Sequence, residues 1–132
     1  MTTYVLDASA GVELLTDTIR GRTIQARLQS GATWWVPEHY YIEVASTLRR
    51  GDLTGAYPTA QVADAFTKLT TARLRRAQVR PLLTAAWARR ANITVADAIY
   101  VALAHHLRAT LVSADINLCN APGLGLPTIH HE

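Results

Sequence analysis

Tyr4-Val5-Leu6-Asp7-Ala8-Ser9-Ala10 changes character in the space of one residue. Tyr4 to Leu6 is a short, wholly apolar run, which reads as a buried strand. Asp7 ends it. Ser9 to Leu15 then takes up a helical period, with Ser9 a candidate N-cap. A strand feeding a helix opens an α/β fold, and the remaining chain keeps alternating short apolar runs with longer helical periods.

Working outward, Thr18 to Gln29 predicts a helix with Ile19, Thr23, Ala26 and Leu28 on its inner side, stopped by Gly31. Trp34-Trp35-Val36-Pro37 is a second short strand closed by proline. Glu38 to Arg50 predicts a helix ending at Gly51, its inner face made of Tyr40, Tyr41, Val44, Ala45 and Leu48, with Glu43 at the edge of that face. Thr59 to Leu74 is helical, with Val62, Phe66 and Leu69 inward, and Ala77 to Arg80 a third strand. Pro81 opens a helix reaching Trp87 to Arg90, Thr94 to Arg108 is the most apolar helix, Leu111-Val112 is a strand, and Thr128-Ile129 a last short one. No repeat or linker interrupts residues 1–132, which read as a single α/β domain.

Composition narrows the function classes. Apolar residues make up 49% and charged residues 17%, the balance of a folded soluble chain. No apolar stretch approaches the roughly 20 residues that cross a bilayer, and Met1-Thr2-Thr3 carries no secretory pattern, so no membrane role and a cytoplasmic location are expected. Cys119 is the only cysteine, which excludes an internal disulfide and, with no Cys or His at ligand spacing, argues against structural zinc. The net charge is only +3, yet between Ala65 and Ala96 there is no acid while Lys68, Arg73, Arg75, Arg76, Arg80, Arg89 and Arg90 all fall there. The arginine fork suits bidentate contact with phosphate, so Arg73, Arg75 and Arg76 are candidate nucleic-acid contacts. A genome-wide bias toward arginine codons would produce the same stretch.

Four of the ten acids stand beside core-forming segments. Asp7 follows the first strand, and Asp115 follows the run Thr110 to Ala114. Glu43 and Asp97 lie in predicted helices. Ligand sites in open α/β sheets form beyond the carboxyl ends of the strands, where Asp7 and Asp115 both point. Converging carboxylates repel one another and take up protons unless a cation is present, and Mg²⁺ favours oxygen ligands from a few carboxylates plus waters. Each acid also has a purely structural role open to it. Asp7 and Asp115 suit N-caps, Thr94 with Asp97 has capping-box spacing, and Glu43 reaches water from a helix boundary.

The order of these signals resembles the PIN-domain ribonucleases, most closely the small VapC-type toxins of toxin–antitoxin pairs. Val5-Leu6-Asp7-Ala8-Ser9-Ala10, Glu43, Asp97-Ala98-Ile99-Tyr100-Val101-Ala102-Leu103-Ala104 and Leu111-Val112-Ser113-Ala114-Asp115 carry the likeness over essentially the whole chain. It implies a PIN-like fold, a short parallel sheet flanked by helices, and a Mg²⁺- or Mn²⁺-dependent endoribonuclease site. Asp7, Glu43, Asp97 and Asp115 would hold the metal, and Ser9 would support a metal water or substrate phosphate. Asn117 falls where some relatives carry another acid, so one ligand charge is missing. The resemblance also implies an RNA substrate, a VapB-like antitoxin and a homodimer.

Competing chemistries fit less well. His105 and His106 are adjacent on a helix and point about 100° apart, so they cannot chelate one ion together. All five histidines read as surface or supporting residues. A haloacid-dehalogenase-like phosphatase using Asp7 as nucleophile wants an acid where Ser9 stands, and a receiver domain wants a late lysine where Lys68 is mid-chain. The remaining alternative is a catalytically inactive PIN-like module that binds RNA or protein, for which clustered negative charge next to phosphate is a cost. Trp34, Trp35, Tyr40 and Tyr41 are candidate stacking platforms for unpaired bases, competing with roles in the core or in partner contacts.

Overall fold

The computed structural model describes residues 1–132. Its elements run β1 (Thr3–Leu6), α1 (Ala8–Leu15), α2 (Ile19–Ala26), β2 (Thr33–Pro37), α3 (Tyr40–Thr54), α4 (Thr59–Thr71), β3 (Arg75–Ala77), a 3₁₀ turn (Arg80–Leu82), α5 (Leu83–Trp87), α6 (Val95–Leu107), β4 (Thr110–Val112), α7 (Ile116–Cys119) and β5 (Thr128–Ile129). The five strands lie parallel in the order β3-β2-β1-β4-β5, with Val5 opposite Trp35 on one side and Leu111 on the other. From central β1 the chain builds outward to β2 and β3, then returns to add β4 and β5 on the opposite side. The switch in direction lies between β1 and β4, and such a switch opens a crevice beyond their carboxyl ends.

Apolar patterning holds the sheet in place. Val5, Leu111 and Val112 are fully buried, as central parallel strands covered on both faces require. Every residue from Ala98 to Ala104 on α6 is buried, so the middle two turns of this helix are apolar all round and fill the core against β1, β2 and β4. Burying a Leu or Ile side chain there stabilises the fold by about 1.5–3 kcal/mol. No helix is long and apolar enough to cross a membrane.

Several local expectations are corrected. Asp7, not Ser9, is the N-cap of α1, because its carboxylate accepts from the Ala10 N–H at 3.0 Å. Gly51 does not end α3. It sits buried inside the helix, where an added Cβ would run into the Tyr57 ring, and Gly55 in the left-handed region (φ 73°) caps the end. On α2 the buried residues are Gly21 and Ile24, while Ile19 is 81% exposed. Likewise Ala65 and Leu69 carry the buried face of α4, with Phe66 half exposed. The third strand begins two residues earlier than expected, at Arg75. Tyr40 is buried and so is no platform for a base, and Trp34 packs its ring 4.8 Å from that of Tyr4.

Candidate active site

Asp7, Glu43, Asp97 and Asp115 come from four separate elements and line one cleft of about 560 Å³ beyond the β1 and β4 carboxyl ends. Asp7 leaves β1 with its N–H bonded to the Val112 carbonyl at 3.0 Å, which ties it to β4. Its carboxylate accepts from the Ser9 hydroxyl at 2.7 Å and from the Ser113 hydroxyl. Those two serines knit the site together. Ser9 Oγ accepts from the Ala114 N–H at 3.0 Å, and Ser113 Oγ accepts from the Asp115 N–H at 3.0 Å. Ser9 therefore lines the cleft while its oxygen braces Asp7 against the β4–α7 turn. Asp115 caps α7 by accepting from the Leu118 N–H at 3.2 Å. Thr94 caps α6 by accepting from the Asp97 N–H at 3.1 Å, which sets Asp97 in the first turn facing the cleft. The capping roles open to Asp7 and Asp115 and their places in the cleft thus coexist.

Glu43 has two supports that the sequence does not assign to it. The Tyr100 hydroxyl donates to Glu43 Oε1 at 2.6 Å, a short charge-assisted bond. His39 Nε2 stands 3.4 Å from the same oxygen and 3.0 Å from the Ala96 carbonyl. A carbonyl only accepts, so Nε2 carries the hydrogen. The His39 and Tyr100 rings pack with centroids 4.7 Å apart. The signals in the chain are present but silent. Tyr100 is three residues after Asp97 and His39 four before Glu43, spacings that share a helix face without naming a partner. Phe at position 100 removes only the hydroxyl, so Tyr100→Phe is expected to fold normally, raise the Mg²⁺ concentration for half-maximal RNA cleavage and lower the rate by roughly tenfold. Mg²⁺ titration of the cleavage rate checks this, and an unchanged midpoint would limit Tyr100 to packing.

The electrostatics are those of an acid cluster. Burial pushes the Asp7 carboxyl up to about 6, partly opposed by its bonds to Ala10, Ser113 and Ser9 and helped by the Asp97 charge. Asp97 is also raised, first by burial and then by the charges of Asp115 and Glu43. Burial and the bond to Glu43 hold the Tyr100 hydroxyl far above its ordinary value, keeping it a donor. No three acid, histidine or cysteine side chains are already gathered into a metal shell. Asp7 is turned toward Ser9 and Ser113, and Glu43 toward Tyr100. That arrangement fits a hard cation which takes a few carboxylates and keeps several waters. The donors are all oxygens, and charges that now disfavour one another would be neutralised.

The remaining candidates lie elsewhere. Asn117 is exposed on α7 and does not line the cleft. Arg73, just before β3, and Arg75 and Arg76, which open it, are exposed on an edge strand two places from β1 or beside it, and none lines the cleft. The arginines that do line it are Arg20 and Arg50, which nothing in their local sequence marks out.

A parallel sheet whose switch point gathers four acids defines the class, and the sequence agrees: the PIN domain profile matches residues 4–124, so the chain belongs to the PIN-domain family. Its branch is that of the VapC proteins. Ribonuclease VapC3 of Mycobacterium tuberculosis is 37% identical over 118 residues, covering 89% of this chain and 85% of that protein. Ribonuclease VapC12 of the same organism is 33% identical over 119 residues, covering 90% and 92%. Among solved structures, a toxin–antitoxin complex from Klebsiella pneumoniae superposes with a TM-score of 0.66 at 12% identity, over 98% of both chains, a likeness of fold.

Proposed function

We propose that this chain is a metal-dependent endoribonuclease, the toxin of a VapBC-type toxin–antitoxin pair acting in the cytoplasm. The observation that carries the reading is the convergence of Asp7, Glu43, Asp97 and Asp115 on one cleft at the switch point of the sheet. Asp7, Glu43, Asp97 and Asp115 are the residues that would hold Mg²⁺, or Mn²⁺ in its place. When bound, a divalent cation supplies charge stabilisation at phosphoryl oxygens and a coordinated water of lowered pKa. The protein's own part is orientation. Ser9 and Ser113 fix the Asp7 carboxylate, Tyr100 and His39 fix Glu43, and the Thr94 cap sets Asp97. An inactive binding module is the weaker reading, because four acids lining a cleft repel an RNA backbone when no cation accompanies it.

The names of the relatives VapC3 and VapC12 support RNA as substrate, and the Klebsiella toxin–antitoxin complex supports a VapB-like antitoxin as partner. Leu83 and Trp87, 43% and 58% exposed on α5, are apolar surface available to a second copy in a homodimer. Arg73, Arg75 and Arg76 would meet the backbone of an RNA long enough to leave the cleft. The reading is tested by brief induction in cells followed by sequencing of RNA 5′ ends. New ends at defined sites with the natural chain, absent with Asp97→Asn, are expected; identical end profiles from both would overturn it.

A further inference from the structure

The lining of the acid cleft also holds two cations. Besides the four acids it includes Val12 on α1, Ser46, Thr47 and Arg50 on α3, and Arg20 on α2. Glu43 and Arg50 are seven residues apart, two turns of one helix, so they share a face about 10 Å apart. Arg50 Nη2 donates to the Thr47 hydroxyl at 3.1 Å, which steadies the guanidinium on the cleft side of α3. Neither arginine has a carboxylate partner: the ion pairs that Arg and Lys make are Arg22–Asp17 and Lys68–Asp64. Glu13, the remaining acid of the lining, takes a hydrogen bond from the Thr18 hydroxyl.

We propose that Arg20 and Arg50 form a phosphate subsite that grips the RNA strand one or two nucleotides from the bond being cut. The inference rests on the ribonuclease reading of the four acids. An unpaired guanidinium presents a planar fork matched to two phosphate oxygens, and two of them in the lining of one cleft suit a backbone rather than a single free anion. An acidic peptide is the poorer occupant. Both RNA and such a peptide are polyanions, but a cation held by the four acids would act on a phosphodiester and would find no bond of that kind in a peptide. The subsite supplies what the four acids lack, since carboxylates alone offer the neighbouring phosphates nothing.

The test measures binding of a labelled, unstructured RNA of about twenty nucleotides to the Asp97→Asn protein at fixed Mg²⁺ across a salt series. Cleavage by the otherwise natural chain is followed alongside. On a single strand, each phosphate left without its cationic partner should reduce the log–log salt slope by about 0.7, so Arg20→Ala with Arg50→Ala should reduce it by about 1.4 and weaken binding by about tenfold at moderate salt. Arg20→Lys with Arg50→Lys keeps the charges and should retain most of the slope. Arg49→Ala, one position along α3 and about 100° round it, should retain all of it. Cleavage by the natural chain with no slope change in the double alanine variant overturns the subsite and leaves the ribonuclease reading standing. A natural chain that neither binds nor cuts RNA overturns both. An equal loss from Arg49→Ala reduces the effect to diffuse charge, and weakened binding of the cognate antitoxin with an unchanged RNA slope assigns the pair to that protein; either overturns the subsite.

Discussion

Asp97→Asn or Asp7→Asn is expected to lower RNA cleavage by roughly a thousandfold or more while leaving the fold intact. Each substitution removes one anionic ligand from a site whose chemistry depends on holding a cation against phosphate, and every tenfold in rate corresponds to about 1.4 kcal/mol of transition-state stabilisation. The Asp7 variant carries a second signature that mere misfolding would not produce. Burial raises Asp7 from the ordinary value of 3.8 to about 6, so between these pH values the folded chain holds a proton that the unfolded chain has released. Stability linked to that proton is present below pH 4 and lost as pH rises through 6, a fall of about 3 kcal/mol. Asparagine imitates the protonated acid at every pH. In chelator, Asp7→Asn should therefore match the natural chain near pH 4 and exceed its stability at pH 7 by up to about 3 kcal/mol, read by denaturant unfolding at both pH values. Near-normal cleavage by either variant in Mg²⁺ would end the acidic-site hypothesis. A stability difference independent of pH would mean that Asp7 is not held protonated by burial.

What was legible in the sequence was whatever a short local pattern can encode. The β1–Asp7 and β4–Asp115 junctions were readable because an apolar run ending in an acid is both a buried strand and a marker of its carboxyl end. Helix α6 was readable because Val95 to Leu107 is nearly free of charge, which leaves Asp97 conspicuous. Glu43 needed the other three, since an acid at the edge of a helix face is ordinary by itself. The family likeness rests on the same blocks, and the positions it adds are Ser9, which braces Asp7, and Asn117, which does not line the cleft.

What was not legible depends on partners distant in the chain. Tyr100 bonds Glu43 across 57 residues, and Ser113 bonds Asp7 across 106, so neither role has any local trace. Gly51 looked like a helix stop because its neighbour Tyr57, which demands the missing Cβ, folds back onto it only after the helix has continued. Periodicity places Ile19 and Phe66 inward, but α2 and α4 bury narrow stripes through Ile24 and through Ala65 and Leu69. Arginine density peaks at residues 73–76, whereas the cleft takes its cations singly, from Arg20 and Arg50. Density in sequence measures charge, and a site needs convergence in space.

Chelation is expected to abolish cleavage, with a loss on the order of a thousandfold or more, and Mg²⁺ or Mn²⁺ to restore it while Ca²⁺ does not. Mg²⁺ binds oxygen at about 2.0–2.1 Å in near-octahedral order, whereas Ca²⁺ sits at about 2.3–2.6 Å in looser shells and polarises its ligands less. Ca²⁺ should thus let RNA bind without efficient cutting. Steady-state cleavage of a labelled RNA after exhaustive chelation and re-addition of each ion checks this. Robust cleavage in chelator, leaving a cyclic phosphate, would point instead to metal-free acid–base chemistry by histidine. The structure offers that route poor materials. His39, the imidazole beside the acids, has its Nε2 hydrogen committed to the Ala96 carbonyl and faces Glu43. His105 and His106 belong to the last turn of α6, some eight residues and about 12 Å along the helix from Asp97. His105 Nε2 is instead bonded to the Leu124 carbonyl at 2.7 Å. A general acid and a general base must both reach the same phosphodiester, and here one imidazole stands near the acids with no second to share the work.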